Sequence, residues 1–338
     1  MQWSRRSILE LTGLGLWASS ASAQTSPDAS PHHGGHLGTV GRVSTASPDP
    51  TSYLRAWNFS DLPPAERARF HRETRRPDGG SVHEFLIYAN AKTIEVAPGV
   101  HFQAWTYNDQ VPGPTLRVRA GDDVRVTFEN RGPHPHSMHF HGWHPSEMDG
   151  SLPHQAVAPG GRFVYEFRAD PPGLHLYNCH VEPFKRHIQK GLYGVFIVDP
   201  PAPRPAADEL VMTMNAFDTN GDGNNDFYAV NTIAHHYMHD PIVVQAGKLV
   251  RIYLVNVTEF DPINSFHLHG NFFDVYRTGT RLQPDALTDT LMLCQGERAV
   301  LETTFRFPGD FMFHAHQSEF AELGWMGLFR VTPALHGS

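Results

Sequence analysis

The chain has 338 residues, enough for two domains of ordinary size. A hydrophobic fraction of 40% and a charged fraction of 18% describe a globular protein, and 29 glycines with 27 prolines favour turn-rich β structure. A net charge of −8 lacks the basic footprint that nucleic acid requires, and two cysteines argue against a disulfide framework.

Residues 1–23 read as an export signal. Arg5 and Arg6 precede an apolar stretch, Ile8 to Trp17, that is too short to span a bilayer, and Ala21-Ser22-Ala23 is a small-residue cleavage site. Twin arginines point to the Tat route, and so to the periplasm or the outside of the cell. Residues 24–50, rich in Ser, Pro, Gly and His, read as a flexible tether whose His32, His33 and His36 are solvated.

From Ser81 onward, short runs rich in Val, Phe, Tyr and Thr alternate with Gly and Pro turns. HEFLIYANA, HFQAWTYN, PTLRVRAGDDVRVTFEN, RFVYEFRA and YGVFIVDP predict strands of a first domain over residues 51–200. A proline-rich linker follows at 201–209. LVMTMNAF, DFYAVN, KLVRIYLVNVT, FFDVYRTG, AVLETTFRF and GLFRVTP predict a second domain over 210–338. The halves repeat each other. AGDDVRVTFENRGPHPHSMHFHGWH parallels AGKLVRIYLVNVTEFDPINSFHLHGNFF, and PPGLHLYNCHVEPF parallels FPGDFMFHAHQSEF. The fold is all-β, a duplicated β-sandwich.

Four histidine clusters carry the chemistry: HPHSMHFHG, NCHVEPFKRH, FHLHG and FHAHQ. A His-x-His pair on a strand sends both rings to one face. Imidazole alone suits copper, zinc, iron or nickel, but one thiolate, Cys179, with His136 upstream and His187 downstream is a blue-copper ligand set. The duplication places that site in the first domain only, because Asn264 stands where His136 does and Ala315 where Cys179 does.

These motifs, with QVPGPTLRV, HIQKGLYG and FMFHAHQSEFAELGWMG, resemble those of the multicopper oxidases and copper nitrite reductases. The resemblance runs from about Ser81 to Pro333 and is strongest to two-domain, laccase-like enzymes with blue copper in the first domain. It implies two tandem cupredoxin-like Greek-key domains and up to four coppers per chain. His136, Cys179 and His187 would hold type 1 copper, with Leu192 at the axial position in place of a methionine. His139 and His267 match type 2 ligands; His141, His180, His269, His314 and His316 match type 3 ligands. Asn178 departs from the pattern, which has histidine there, and puts one type 3 copper in doubt. His175 lies on the cysteine's side of its strand and does not replace it. Asp149 matches a family acid beside the cluster, and Glu182 and Glu319 are further candidates for proton delivery.

The implied activity is one-electron oxidation of a reductant, a small molecule or metal ion, coupled to four-electron reduction of O2 to water. A homotrimer with the cluster between subunits is implied as well. Two alternatives stay open: a copper nitrite reductase, and a non-catalytic electron-transfer or copper-binding protein whose cluster is incomplete. DTNGDGNND (Asp218 to Asp226) reads as a β-turn rather than half an EF-hand, since Ala229 stands where the loop's last glutamate belongs. His235, His236 and His239 read as surface or interface histidines, and Cys294 as a buried small hydrophobe.

Overall fold

The computed structural model describes residues 50–334. The expected export signal, the expected tether up to residue 49 with its histidines, and the last four residues lie outside the described residues.

Every predicted run is a strand, and the strands assemble into two pairs of sheets. In the first half Asp123–Asn130 lies between Ser81–Ala97, to which it is parallel, and Arg162–Arg168, to which it is antiparallel. In the second half Leu249–Asn256 lies in the same way between Asp208–Phe217 and Arg298–Thr304. The facing sheets also agree. Gly113–Arg119, Tyr193–Asp199, Gly173–Asn178 and His139–Phe140 follow the same order and directions as Ile242–Gln245, Met326–Thr332, Gly309–His314 and Ile263–Leu268. The duplication read from two sequence segments therefore extends through the topology.

Alternation builds the cores. Ser81–Ala97 buries every second residue along most of its length, including Phe85, Ile87 and Ala89, as a strand with one packed face must. One core fills the first sandwich and another the second. A third lies between them, where Phe102, Leu176, Tyr193 and Val195 of the first half meet Val211, Phe217, Val255 and Val300 of the second. The short helix Pro50–Arg55 joins the second half: Leu54 enters its core and the Tyr237 hydroxyl donates to the Pro50 carbonyl at 2.9 Å.

A buried ionic network also ties the halves. Arg117 donates to Asp199 at 2.8 Å and to Glu209 at 2.7 Å. Glu209 also accepts from Arg251 at 3.0 Å and from the Tyr253 hydroxyl at 2.8 Å, and Arg251 pairs with Glu302 at 2.6 Å. The described residues belong to one compact unit. No helix among the described residues is long and apolar enough to cross a membrane.

Two expectations meet the structure differently. Cys294 is exposed, not buried, because it alternates with Leu293 on the strand Thr290–Cys294 and points away from the core. The Asp218–Asp226 segment is a turn as expected, and its carboxylates serve its own backbone: Asp218 accepts the Gly223 N–H at 2.9 Å and Asp226 that of Thr219 at 2.7 Å.

Candidate metal centres

The cysteine and its two histidines converge from three elements. His136 sits on an isolated bridge to Val157, Cys179 follows the strand Gly173–Asn178, and His187 lies in the short helix Phe184–Gln189. The Cys179 Sγ lies 3.1 Å from His187 Nδ1 and 3.9 Å from His136 Nδ1, and the two Nδ1 atoms are 3.2 Å apart. All three residues are buried.

Their electrostatics suit a cation. Burial pushes the Cys179 thiol up to about 11, so a bare thiolate is disfavoured there unless a positive ion accompanies it. Burial, then mutual repulsion of the rings, pushes His136 down to about 3; burial, then His134 and Arg186, pushes His187 down to about 4. Both imidazoles are therefore neutral, with lone pairs free to bind a metal. The Ser137 N–H points at the sulfur from 3.4 Å, and Leu192, fully buried, supplies only hydrocarbon. Trp105 packs against His134, His136 and His187 with centroids 4.8 to 5.3 Å apart, a wall that no local motif singles out. The donor set fits the ligand chemistry of blue copper.

The other histidines form two sets. His139, at 5.2 Å from both His141 and His180 by ring centroids, centres the first. In the second, His267 lies 4.9, 5.3 and 5.2 Å from His269, His314 and His316, and the Nε2 atoms of His269 and His314 face each other at 2.9 Å. Each His-x-His pair straddles a strand end: His139, His267 and His314 lie in strands, while His141, His269 and His316 lie just beyond. Among the described residues no ring contact or metal-capable group joins the two sets.

Asp149 reaches the first set, its Oδ1 3.2 Å from His139 Nδ1, and His144 stands beside it at 3.6 Å. His144 completes a metal-capable group with His139 and Asp149. Its signal was visible as the third histidine of HFHGWH. Despite burial, the Ser151 hydroxyl and the neighbouring histidines hold the Asp149 carboxyl below its usual value. Glu182 and Glu319 are exposed, and no hydrogen bond or ion pair ties either to a cluster histidine among the described residues. His175 donates from Nε2 to the Pro171 carbonyl at 2.8 Å and joins neither set. His235, His236 and His239 form no metal-capable group among the described residues.

The second sandwich shows what replaces a blue site. The Cys179 N–H bonds the Leu192 carbonyl at 3.0 Å, as the Ala315 N–H bonds that of Trp325 at 3.1 Å. The Leu192 N–H bonds His187 at 3.2 Å, as Trp325 bonds Phe320 at 2.9 Å. Phe320 thus occupies the place of His187 and Trp325 that of Leu192, so the pocket that gathers donors in one half is filled by aromatic rings in the other. Ser137 and Ser265 correspond too: each hydroxyl accepts the N–H of the cluster histidine, His180 at 3.3 Å and His316 at 2.8 Å.

Family models described as multicopper oxidase match residues 89–203 and 203–335, together more than half of the chain. A copper-containing nitrite reductase of Neisseria meningitidis serogroup A is 30% identical over 246 residues, which cover 67% of this chain. The chain spans only 63% of that relative's length. A solved structure described as a multicopper oxidase is 50% identical, with a TM-score of 0.80, and the match covers 85% of this chain and 98% of the other. The blue copper oxidase of Nitrosomonas europaea is 27% identical with a TM-score of 0.66, covering 73% and 85%.

Proposed function

Because the chain belongs to the multicopper oxidase family, we propose that it is a laccase-like oxidase, taking single electrons from a reductant and passing them to dioxygen. The observation that carries this reading is the convergence of Cys179, His136 and His187 in a dry pocket one residue from His180. Copper bound at the trio and at the cluster supplies one-electron transfer and the four reducing equivalents that dioxygen needs to become water. The residues do the rest. Cys179 and His180 are adjacent, so the covalent backbone links the electron-entry trio to the cluster histidines. Asp149, a carboxylate held beside His139 and His144, is placed to receive and release protons as oxygen is reduced. Glu182 and Glu319 are available from the exposed ends of their motifs.

Within one chain the two histidine sets stand apart, which supports assembly of the cluster between the first domain of one copy and the second domain of the next. A trimer closes such a head-to-tail contact. Trp143, 69% exposed and two residues from His141, and Phe272, 60% exposed and three from His269, are the apolar surface such an interface covers. The twin arginines at Arg5 and Arg6 support export by the Tat route to the periplasm or beyond. A nitrite reductase is disfavoured: that family carries an aspartate at the position of His139 and a histidine at that of Asn178.

Oxygen uptake by copper-loaded protein with a phenolic donor tests the activity, and sedimentation tests the assembly. Nitric oxide from nitrite without oxygen uptake would replace the oxidase reading. A fully active monomer would remove the intersubunit cluster.

A further inference from the structure

Copper needs a nitrogen lone pair, and a neutral imidazole offers one, on the nitrogen that carries no proton. Two cluster histidines are prepared for this. Nδ1 of His139 donates to the Asp149 carbonyl at 3.0 Å, and Nδ1 of His267 to that of Asp289 at 2.9 Å. A carbonyl can only accept, so each ring holds its proton on Nδ1 and presents an open Nε2.

His141 is set the other way. Its Nδ1 lies 3.2 Å from Nη1 of Arg298, which begins the strand Arg298–Thr304 of the second sandwich. A guanidinium has donors and no acceptor. The Nδ1 lone pair is therefore engaged by Arg298, and the ring proton sits on Nε2. Neither nitrogen is left for a metal. Arg298 is itself anchored, its Nε donating to the Leu174 carbonyl at 2.8 Å. Independently, Asn178 puts a buried amide where the family pattern has an imidazole, and that amide is engaged with the Cys179 carbonyl at 3.0 Å. Two of the four first-domain cluster positions are thus withheld from copper.

We infer that Arg298 is a latch that competes with copper for His141, so that the first-domain half of the cluster closes only when the guanidinium is displaced. The inference rests on the oxidase reading of the same site and adds its regulation. No hydrogen bond or ion pair joins Arg298 to Cys179, His136 or His187 among the described residues, so the type 1 trio fills first and the cluster follows at higher copper.

The sign of one substitution tests this. Arg298→Met keeps the aliphatic stem and removes every donor. Full-length wild type and variant are equilibrated across a series of buffered free copper concentrations. Copper per chain is then read by elemental analysis, and type 1 occupancy by the blue absorption of the same samples. The latch predicts that the variant acquires its cluster copper at roughly tenfold lower free copper, the scale of a lost hydrogen bond to a charged group, with the blue band unchanged. Were Arg298 a supporting partner of the site, its loss would weaken copper by about 10–100-fold instead. Weakened or unchanged cluster loading with a normal blue band overturns the latch and leaves the oxidase reading standing. A wild type with no blue band at any copper concentration overturns that reading and the latch with it. If the variant does not fold, crystal structures of metal-free and copper-loaded wild type decide. The latch requires the Arg298–His141 hydrogen bond to be broken in the loaded form; its survival beside a copper bound to His141 refutes it.

Discussion

Replacing Glu209 by glutamine removes one charge and little volume from the network that ties the two sandwiches. The carboxylate serves three donors, at 2.7 Å from Arg117, 3.0 Å from Arg251 and 2.8 Å from the Tyr253 hydroxyl. An amide keeps one acceptor and turns an NH2 towards a guanidinium, leaving donor against donor. Arg251 is 3% exposed and Arg117 16%, so water does little to compensate. Breaking a buried pair by removing one partner costs about 3–5 kcal/mol. Both arginines keep a second carboxylate, Glu302 and Asp199, which places the expected loss near the lower end, about 3 kcal/mol. For a chain of 338 residues that lowers Tm by roughly 4 °C.

The pH dependence has a definite sign. Burial raises the Glu209 pKa, but Arg117 and its other partners outweigh it and hold the carboxyl below its usual value of 4.5. A depressed carboxylate stabilises the fold above its unfolded pKa, and that stabilisation disappears as the pH falls through the folded value. The difference between wild type and Glu209→Gln should therefore be complete at neutral pH, begin to shrink near pH 4.5 and disappear once the pH has fallen through the lower folded value. Thermal unfolding followed by circular dichroism at several pH values measures it. A difference at neutral pH under ~1 kcal/mol, the worth of an exposed pair, would show that the network does not weld the halves.

Cys179→Ala should abolish the blue absorption while leaving the fold, since alanine, Ala315, already fills the corresponding place in the second sandwich; a blue variant would relocate the type 1 site. Leu192→Met offers a weak axial thioether and should lower the type 1 reduction potential, read by redox titration of the blue band; an unchanged or higher potential would mean that residue 192 does not face the copper. A Cβ at Gly194 would overlap the Tyr177 ring, so Gly194→Ala should cost about 1–3 kcal/mol in chemical denaturation, and a neutral result would contradict that packing. Burial and then His83 push His71 down to about 4 from 6.5, so the unfolded chain takes up the proton first and stability should decline from pH 6.5 to 4. His71→Phe should flatten that part of the Tm profile, and an undiminished slope would assign it to another group.

The candidate ligand sets were legible because metal chemistry concentrates rare residue types at short spacings. Cys179 lies eight residues from His187, and HSMHFHG gathers three histidines within six positions, so no tertiary knowledge is needed to see them. The duplication was legible for a related reason: strand patterns and histidine pairs recur in the same order in both halves. Contacts between residues far apart in the chain were not legible. Arg298 and His141 are separated by 157 positions and Arg117 and Glu209 by 92, and nothing local distinguishes these arginines from solvated ones. The exposure of Cys294 depends on which face of an edge strand meets the core. Trp105 became visible as a wall of the type 1 pocket only when the fold brought the strand Val100–Tyr107 beside the helix Phe184–Gln189.

The aromatic filling at Phe320 and Trp325 gives the two sandwiches different dependence on their surroundings. In the second, the space between sheet and loop is closed by rings, and its cohesion is the same wherever the chain finds itself. In the first, the matching space is lined by a thiol and two imidazoles, and an ion that binds only the folded form adds to its stability by mass action. Copper held by that trio would add to the stability of the first sandwich through this pocket, while the matching pocket of the second owes nothing to it. A chain starved of copper would keep the aromatic pocket of its second sandwich intact and lose stability around Cys179, where local opening and proteolysis would begin.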